Sequence, residues 1–226
     1  MPSPIILAKK IYKTYQNNTL YVNALNGVDM ELPQGALAMI YGPSGGGKST
    51  LLHLIGGIDR VQSGYLEVDG VCLHSANEKQ LTQFRRDKTG FVFQFYNLLP
   101  SLNALDNVCL PLLAKGESIK QARRKGLLVL QQVGLLDRQR HRPGQLSGGE
   151  QQRIAVARAL IVEPVLVLAD EPTGDLDSHS TIELMDLITS LNQNLGITFL
   201  IATHNIDIRS AATHLFEMKD GILKMI

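Results

Sequence analysis

The chain has no tryptophan, two cysteines and few other aromatic residues, which together make up 5% of its 226 residues. Cys72 and Cys109 form no close ligand pair, so a zinc module of ordinary spacing is excluded, and two lone thiols suit a reducing compartment. Charge of one sign is also lacking: 22 basic and 21 acidic side chains leave a net +1. A protein that neutralises a phosphate backbone carries a clear basic excess, so no nucleic-acid partner is expected. Long apolar runs are missing too. Val165–Ala169 and Ile197–Ala202 are strand-sized, far short of the ~20 residues of a membrane-spanning helix. At the N-terminus the lysines follow the short Ile5–Ala8 stretch, the reverse of a secretory signal. The expectation is a cytoplasmic chain. If it works at a membrane, another polypeptide crosses it.

What is present suffices for one sizeable core, because 44% of the residues are hydrophobic and no low-complexity tract interrupts them. Strands are expected at Ile5–Tyr12, around Val28–Leu32, at Ala36–Tyr41, Tyr65–Asp69, Phe91–Gln94, Val165–Ala169 and Ile197–Ala202. A helix is expected over Lys48–Ile55, another over Ser178–Leu195, and a hairpin around Lys219-Asp220-Gly221. Asn103–Val162 reads as helical, broken at Pro111, Gly116, Gly134 and Arg142-Pro143-Gly144. The expected organisation is α/β: a single domain over 1–226 with a mostly helical insert at about 95–163.

Two stretches carry chemistry. Gly42-Pro43-Ser44-Gly45-Gly46-Gly47-Lys48-Ser49 matches G-x-x-x-x-G-K-[ST], between a buried strand and a helix. Glycines let backbone N–H groups curl around an anion, and the helix N-terminus adds partial positive charge. Lys48 can reach the β- and γ-phosphates of a nucleoside triphosphate, and the Ser49 hydroxyl can ligate Mg²⁺. Further on, the apolar strand Val165–Ala169 ends in Asp170 and Glu171. At the carboxyl end of a parallel strand, Asp170 faces the Mg²⁺ shell and Glu171 can deprotonate an attacking water.

A third stretch, Leu146-Ser147-Gly148-Gly149-Glu150, opens another helix with small residues and free N–H groups. One nucleotide does not need two cradles in one chain. A second is useful if it binds the nucleotide of a neighbouring copy. With Gln151-Gln152-Arg153 following, this stretch resembles the signature motif of the ABC ATPases, and the resemblance covers nearly the whole chain. Residues 42–50, through Thr50, resemble Walker A, and 165–171 Walker B. Tyr15, with Tyr12 and Tyr21 nearby, resembles the adenine-stacking aromatic. Gln94 resembles the Q-loop glutamine that meets Mg²⁺ and the γ-phosphate. Gly174-Asp175-Leu176-Asp177 is similar to the D-loop, and His204 to the switch histidine. Gly46, Glu150 and Asp175 depart from the commonest family residues without removing a required functional group.

The resemblance implies a P-loop core with a mostly parallel sheet, an N-terminal antiparallel β part and an inserted helical subdomain. It implies ATP and Mg²⁺ as ligands, Ser49, Gln94 and Asp170 as metal residues, and Glu171, His204, Lys48 and Gln94 as the catalytic set. It also implies a head-to-tail homodimer in which Ser147, Gly148, Gly149, Glu150 and Asp177 complete the partner's nucleotide site. Leu51–Asp59, Arg85–Leu99 and Ala104–Leu113 resemble the subfamily of lipoprotein-releasing (LolD-like), macrolide-exporting (MacB-like) and cell-division (FtsE-like) ATPases. The resemblance implies a place on the cytoplasmic face of the inner membrane; the length suits the LolD-like form with a separate permease, whereas MacB-like chains carry their own membrane part. Phe91 and Phe93 read as strand packing, and Phe95–Leu99 as an exposed groove for a permease helix. Lys120–Lys125 reads as a solvated face, and His53, His74, His141, His179 and His214 have no ligand spacing.

Overall fold

The computed structural model describes residues 3–17 and 20–226. Two sheets organise it. The first is antiparallel, in the order β2 (Leu20–Leu32), β1 (Ile6–Asn17), β4 (Ser63–Val68), β5 (Val71–Cys72). The second has the order β10 (Ile222–Met225), β9 (His214–Lys219), β3 (Leu37–Tyr41), β8 (Thr198–Thr203), β7 (Leu166–Asp170), β6 (Thr89–Phe93), and only β10 runs antiparallel to its neighbour.

The central strands are buried on both faces, which is why they read as unbroken apolar runs. Their side chains alternate between two cores. Leu37, Met39, Val167, Ala169, Phe199 and Ile201 face the helical insert. Ala38, Ile40, Leu166, Leu168, Leu200 and Ala202 face α1 (Lys48–Ile55) and the antiparallel sheet. The insert contributes α3 (Ala104–Ala114), α4 (Ile119–Gln132) and α5 (Gly148–Leu160), packed through Val108, Ala122, Leu130 and Ile154. Helix α6 (Ser178–Leu195) lines the same core through Leu184, Ile188 and Leu191.

Three expectations are corrected. Strands β1 and β2 are much longer than their alternation suggests, because register shifts at Ala8/Ile11, Ile11/Tyr12 and Lys13/Thr14 break the two-residue period. Pro111 lies inside α3 rather than ending it, and the helix closes three residues later through Lys115 N–H to the Pro111 and Leu112 carbonyls. Helix α2 (Glu78–Asp87) was not anticipated. It buries only Leu81 and Phe84, and its sequence signal is the Asn77–Gln80 capping box. The hairpin between β9 and β10 is as expected, with Asp220 and Gly221 both at positive φ in a two-residue turn.

Candidate functional site

The phosphate cradle joins β3 to α1. Its glycines are required by close backbone approach on two sides. A Cβ on Gly42 would lie 2.0 Å from the Met218 carbonyl oxygen, and one on Gly47 (φ 105°) 2.4 Å from that of Ala24. Gly45 (φ 77°) faces open space, so only its backbone conformation calls for glycine. Helices α2 to α6 each have a side-chain N-cap, from Asn77, Asn103, Ser118, Ser147 and Asp177. Helix α1 has Gly47 there, no side-chain cap and no acidic residue in its first turn. Its leading N–H groups and the positive end of its dipole are left for an anion. The buried Lys48 folds back over the loop and donates to the carbonyls of Gly42 (2.8 Å) and Pro43 (3.0 Å).

Two carboxylates stand beside the cradle. Asp170 ends β7 beside the Ser49 side chain. Burial pushes its pKa up, although Ser49 and His53 oppose the shift. Its Oδ1 is buried without a hydrogen-bond partner. A hydroxyl beside an unpaired carboxylate oxygen is hard-oxygen chemistry, so Ser49 and Asp170 fit Mg²⁺. Glu171 follows at positive φ, 48°, with its N–H on the Ala202 carbonyl. One carboxylate oxygen accepts from the His204 backbone N–H (3.1 Å) and from Nδ1 of its ring (2.8 Å), and the other lies 3.5 Å from Lys48 Nζ. The ends of β7 and β8 and the start of α1 thus gather Lys48, Glu171 and His204 into one cluster.

The other expected residues are placed as follows. The Tyr15 hydroxyl donates to Asp59 (2.7 Å) and is hydrogen-bonded with Thr50, which sets this ring beside the cradle. Tyr12 packs its hydroxyl near Gly27 instead, and Tyr21 is exposed. The Gln94 amide, directly after the Phe93–Asp170 strand pair, donates to Asp175 (3.3 Å) in the D-loop segment. Asp177 caps α6, accepting from the N–H and hydroxyl of Ser180 (2.9 and 3.0 Å). The Ser147–Glu150 stretch lies at the start of α5, with Ser147 exposed, Gly148 and Glu150 half-buried and Gly149 buried. Phe95 is 73% exposed, as expected, and Leu99 also reaches solvent. Phe93, read as strand packing, instead lines an open groove of about 590 Å³ with Phe91, Pro111, Ala114 and Val162.

Three residues escaped the sequence reading. Gln152 is fully buried and donates to the carbonyls of Phe93 (3.3 Å) and Pro172 (2.8 Å), tying α5 to β6 and to the turn after Glu171. Arg158 donates to the carbonyls of Tyr96 (2.7 Å) and Asn97, both at positive φ. Arg138 pairs with Glu150 at 2.8 Å. Sequence spacing announces none of these, because each partner comes from another element. A cavity of about 830 Å³ lies between α6 and the 3₁₀ turn Ile206–Ala211, with Thr173, Gly174 and His204 in its lining.

Comparison with known proteins agrees with this geometry. The family model described as "ABC transporter" matches residues 25–174. The lipoprotein-releasing system ATP-binding protein LolD of Legionella pneumophila is 45% identical over 219 residues, covering 97% of this chain and 96% of that protein. LolD of Coxiella burnetii is 47% identical over 204 residues, covering 90% and 88%. Among solved structures, the ATP-binding cassette MJ0796 in a dimeric post-hydrolysis state bound to ADP and Pi superposes with a TM-score of 0.89 at 39% identity, covering 97% and 96%. With the family model matching residues 25–174 and relatives at 45–47% identity over most of both chains, the chain belongs to the ABC transporter ATP-binding family.

Proposed function

We propose that the chain hydrolyses ATP as one half of a head-to-tail dimer and drives a separate membrane permease, with lipoprotein release as its task. The observation that carries the ATPase chemistry is the cluster of Lys48, Glu171 and His204 at the open end of an uncapped helix. ATP phosphates settle on the free N–H groups of α1, and Lys48 turns from the Gly42 and Pro43 carbonyls onto the β- and γ-phosphates. Tyr15 stacks on adenine. Ser49 and Asp170 would hold Mg²⁺, which neutralises phosphate charge when bound, and Gln94 joins them on leaving Asp175. Glu171 takes a proton from water as the water oxygen attacks the γ-phosphorus and the bond to the bridging oxygen breaks, giving ADP and phosphate. His204, oriented by Glu171, steadies the γ-phosphate. The partner copy contributes Ser147 and its two glycines from the opposite side, and Asp177 holds the D-loop between them.

The reading of a separate permease rests on the relatives and on surface chemistry. Among the described residues no helix is long and apolar enough to cross a membrane. The groove lined by Phe91, Phe93, Pro111, Ala114 and Val162 offers an apolar seat for a permease helix, and Phe95 and Leu99, later in the same segment, are exposed. The chain is then peripheral on the cytoplasmic face of the inner membrane.

Glu171→Gln tests both halves. Turnover is expected to fall by at least ~100-fold, the usual size of a general-base contribution. ATP binding persists and dimers accumulate with ATP on size-exclusion chromatography. The tagged variant should recover a permease from detergent-solubilised membranes. Near-parental turnover would remove Glu171 as the base, and recovery of ribosomes or nucleic-acid enzymes would overturn the transport role.

A further inference from the structure

The start of α5 carries an internal contradiction. In the proposed dimer it must attract a γ-phosphate, yet Glu150 places a carboxylate in its first turn. For the helix alone this is favourable, since a carboxylate complements the positive end of the dipole. For an incoming phosphate it is repulsive. The carboxyl is held below its ordinary range, first by the Arg138 hydrogen bond and then by the Ser147 backbone N–H, so protonation at neutral pH does not remove the charge.

The surrounding contacts resolve this. Glu150 Oε2 accepts from Ser147 N–H (2.8 Å), and Oε1 accepts from Arg138 Nε (2.8 Å). Both oxygens are therefore turned back along the helix and paired. Ser147 Oγ accepts from Glu150 N–H (3.2 Å), which leaves the hydroxyl proton and the N–H groups of Gly148 and Gly149 for another acceptor. Arg138 is held in place from outside α5. It ends the 3₁₀ turn Leu136–Arg138, whose following residues Gln139 and His141 offer carbonyls to the N–H groups of Leu105 (3.0 Å) and Ala104 (2.8 Å) at the start of α3.

We propose that Arg138 is a positioning residue for ATP hydrolysis: it cancels the Glu150 charge so that the start of α5 keeps its attraction for the γ-phosphate held by a second copy. This rests on the head-to-tail reading. The first turn of α5 is then a net anion receptor because a cation from a neighbouring turn offsets its only acid.

The test uses the full chain carrying Glu171→Gln and measures the ATP concentration that gives half-maximal dimer. Arg138→Ala, with Arg138→Gln as the milder variant, should raise it roughly three- to tenfold, the scale of one charge at a helix terminus. Binding of a fluorescent ATP analogue to dilute monomer should not change, because in the head-to-tail reading the pair serves the nucleotide held by the partner copy. Adding Glu150→Gln to Arg138→Ala keeps the capping geometry, removes the charge and should bring the ATP requirement back to within about twofold of the parent. A merely structural role for Arg138 would not be rescued in this way. An unchanged ATP requirement in Arg138→Ala, or a double variant as impaired as the single one, overturns the proposal. Ser147→Arg separates the two levels. If it dimerises normally with ATP, the head-to-tail reading and this proposal fall together. If it blocks dimers while Arg138→Ala is silent, only this proposal falls.

Discussion

Glycines in the cradle are not interchangeable, because different constraints hold them. Alanine at position 42 must displace the backbone of β9, since its Cβ would sit 2.0 Å from the Met218 carbonyl oxygen. The expected cost is on the order of 2–3 kcal/mol, typical of overpacking against atoms that cannot turn aside. Alanine at 45 meets nothing within 4 Å and bears only its positive φ, a cost of about 1 kcal/mol. Urea denaturation of the two variants should rank them in that order, and nucleotide titration should show Gly42→Ala losing affinity. Equal stability would mean that β9 yields more easily than its position between β3 and β10 implies. Spacing alone placed both glycines in a phosphate loop. It could not say which one is walled, because the wall comes from Met218, far along the chain.

At the scale of elements, the segment after β6 is held in an unfavourable shape by a neighbour. Tyr96 (φ 57°) and Asn97 (φ 51°) sit in the left-handed region, and Arg158 of α5 grips both carbonyls. Burial lowers the arginine pKa. Arg158→Met keeps much of the volume and releases both carbonyls. It should destabilise the protein by about 3–6 kcal/mol, the range for two hydrogen bonds to a charged group. Hydrogen exchange should accelerate over residues 94–99 and stay unchanged in α1. Uniform acceleration would indicate loss of core packing instead. Helix α6 was legible from its regular apolar stripe, and the central strands from unbroken apolar runs, since both their faces are buried. Only the first part of β1 was read, since register shifts then reverse the facing of successive residues, and α2 was missed because two buried side chains are too few to form a stripe. The cradle, the Asp170–Glu171 pair and His204 were readable because their motifs follow strands. The Gln94–Asp175 hydrogen bond was not, since it joins loops that only the folded sheet brings together.

Across the whole molecule, the two thiols report on the integrity of the insert. Cys72 is exposed at the edge of the antiparallel sheet, whereas Cys109 is buried in α3 with its pKa pushed up to about 11 by burial and by Asp106. A chromogenic disulfide reagent at pH 8 should modify one thiol per chain quickly and the second only as the insert opens, because the thiolate is the attacking species. Two equivalents reacting at once in the native protein would mean that α3 is not packed as described. Its packing against α4 is close, since a Cβ on Gly126 would stand 2.8 Å from the Cys109 sulfur.

The cradle also imposes an order on the making of the protein. Its Gly42 and Gly46 lie against Met218, and the Gly46 carbonyl accepts from Gly221 N–H (3.1 Å), so one wall of a loop centred on residue 45 is supplied by β9 and the hairpin turn. During synthesis at ~5–20 residues per second, the loop therefore waits many seconds for that wall. A ribosome-bound nascent chain can form the first sheet well before it can grip a nucleotide, and ATP cannot serve as an early folding template.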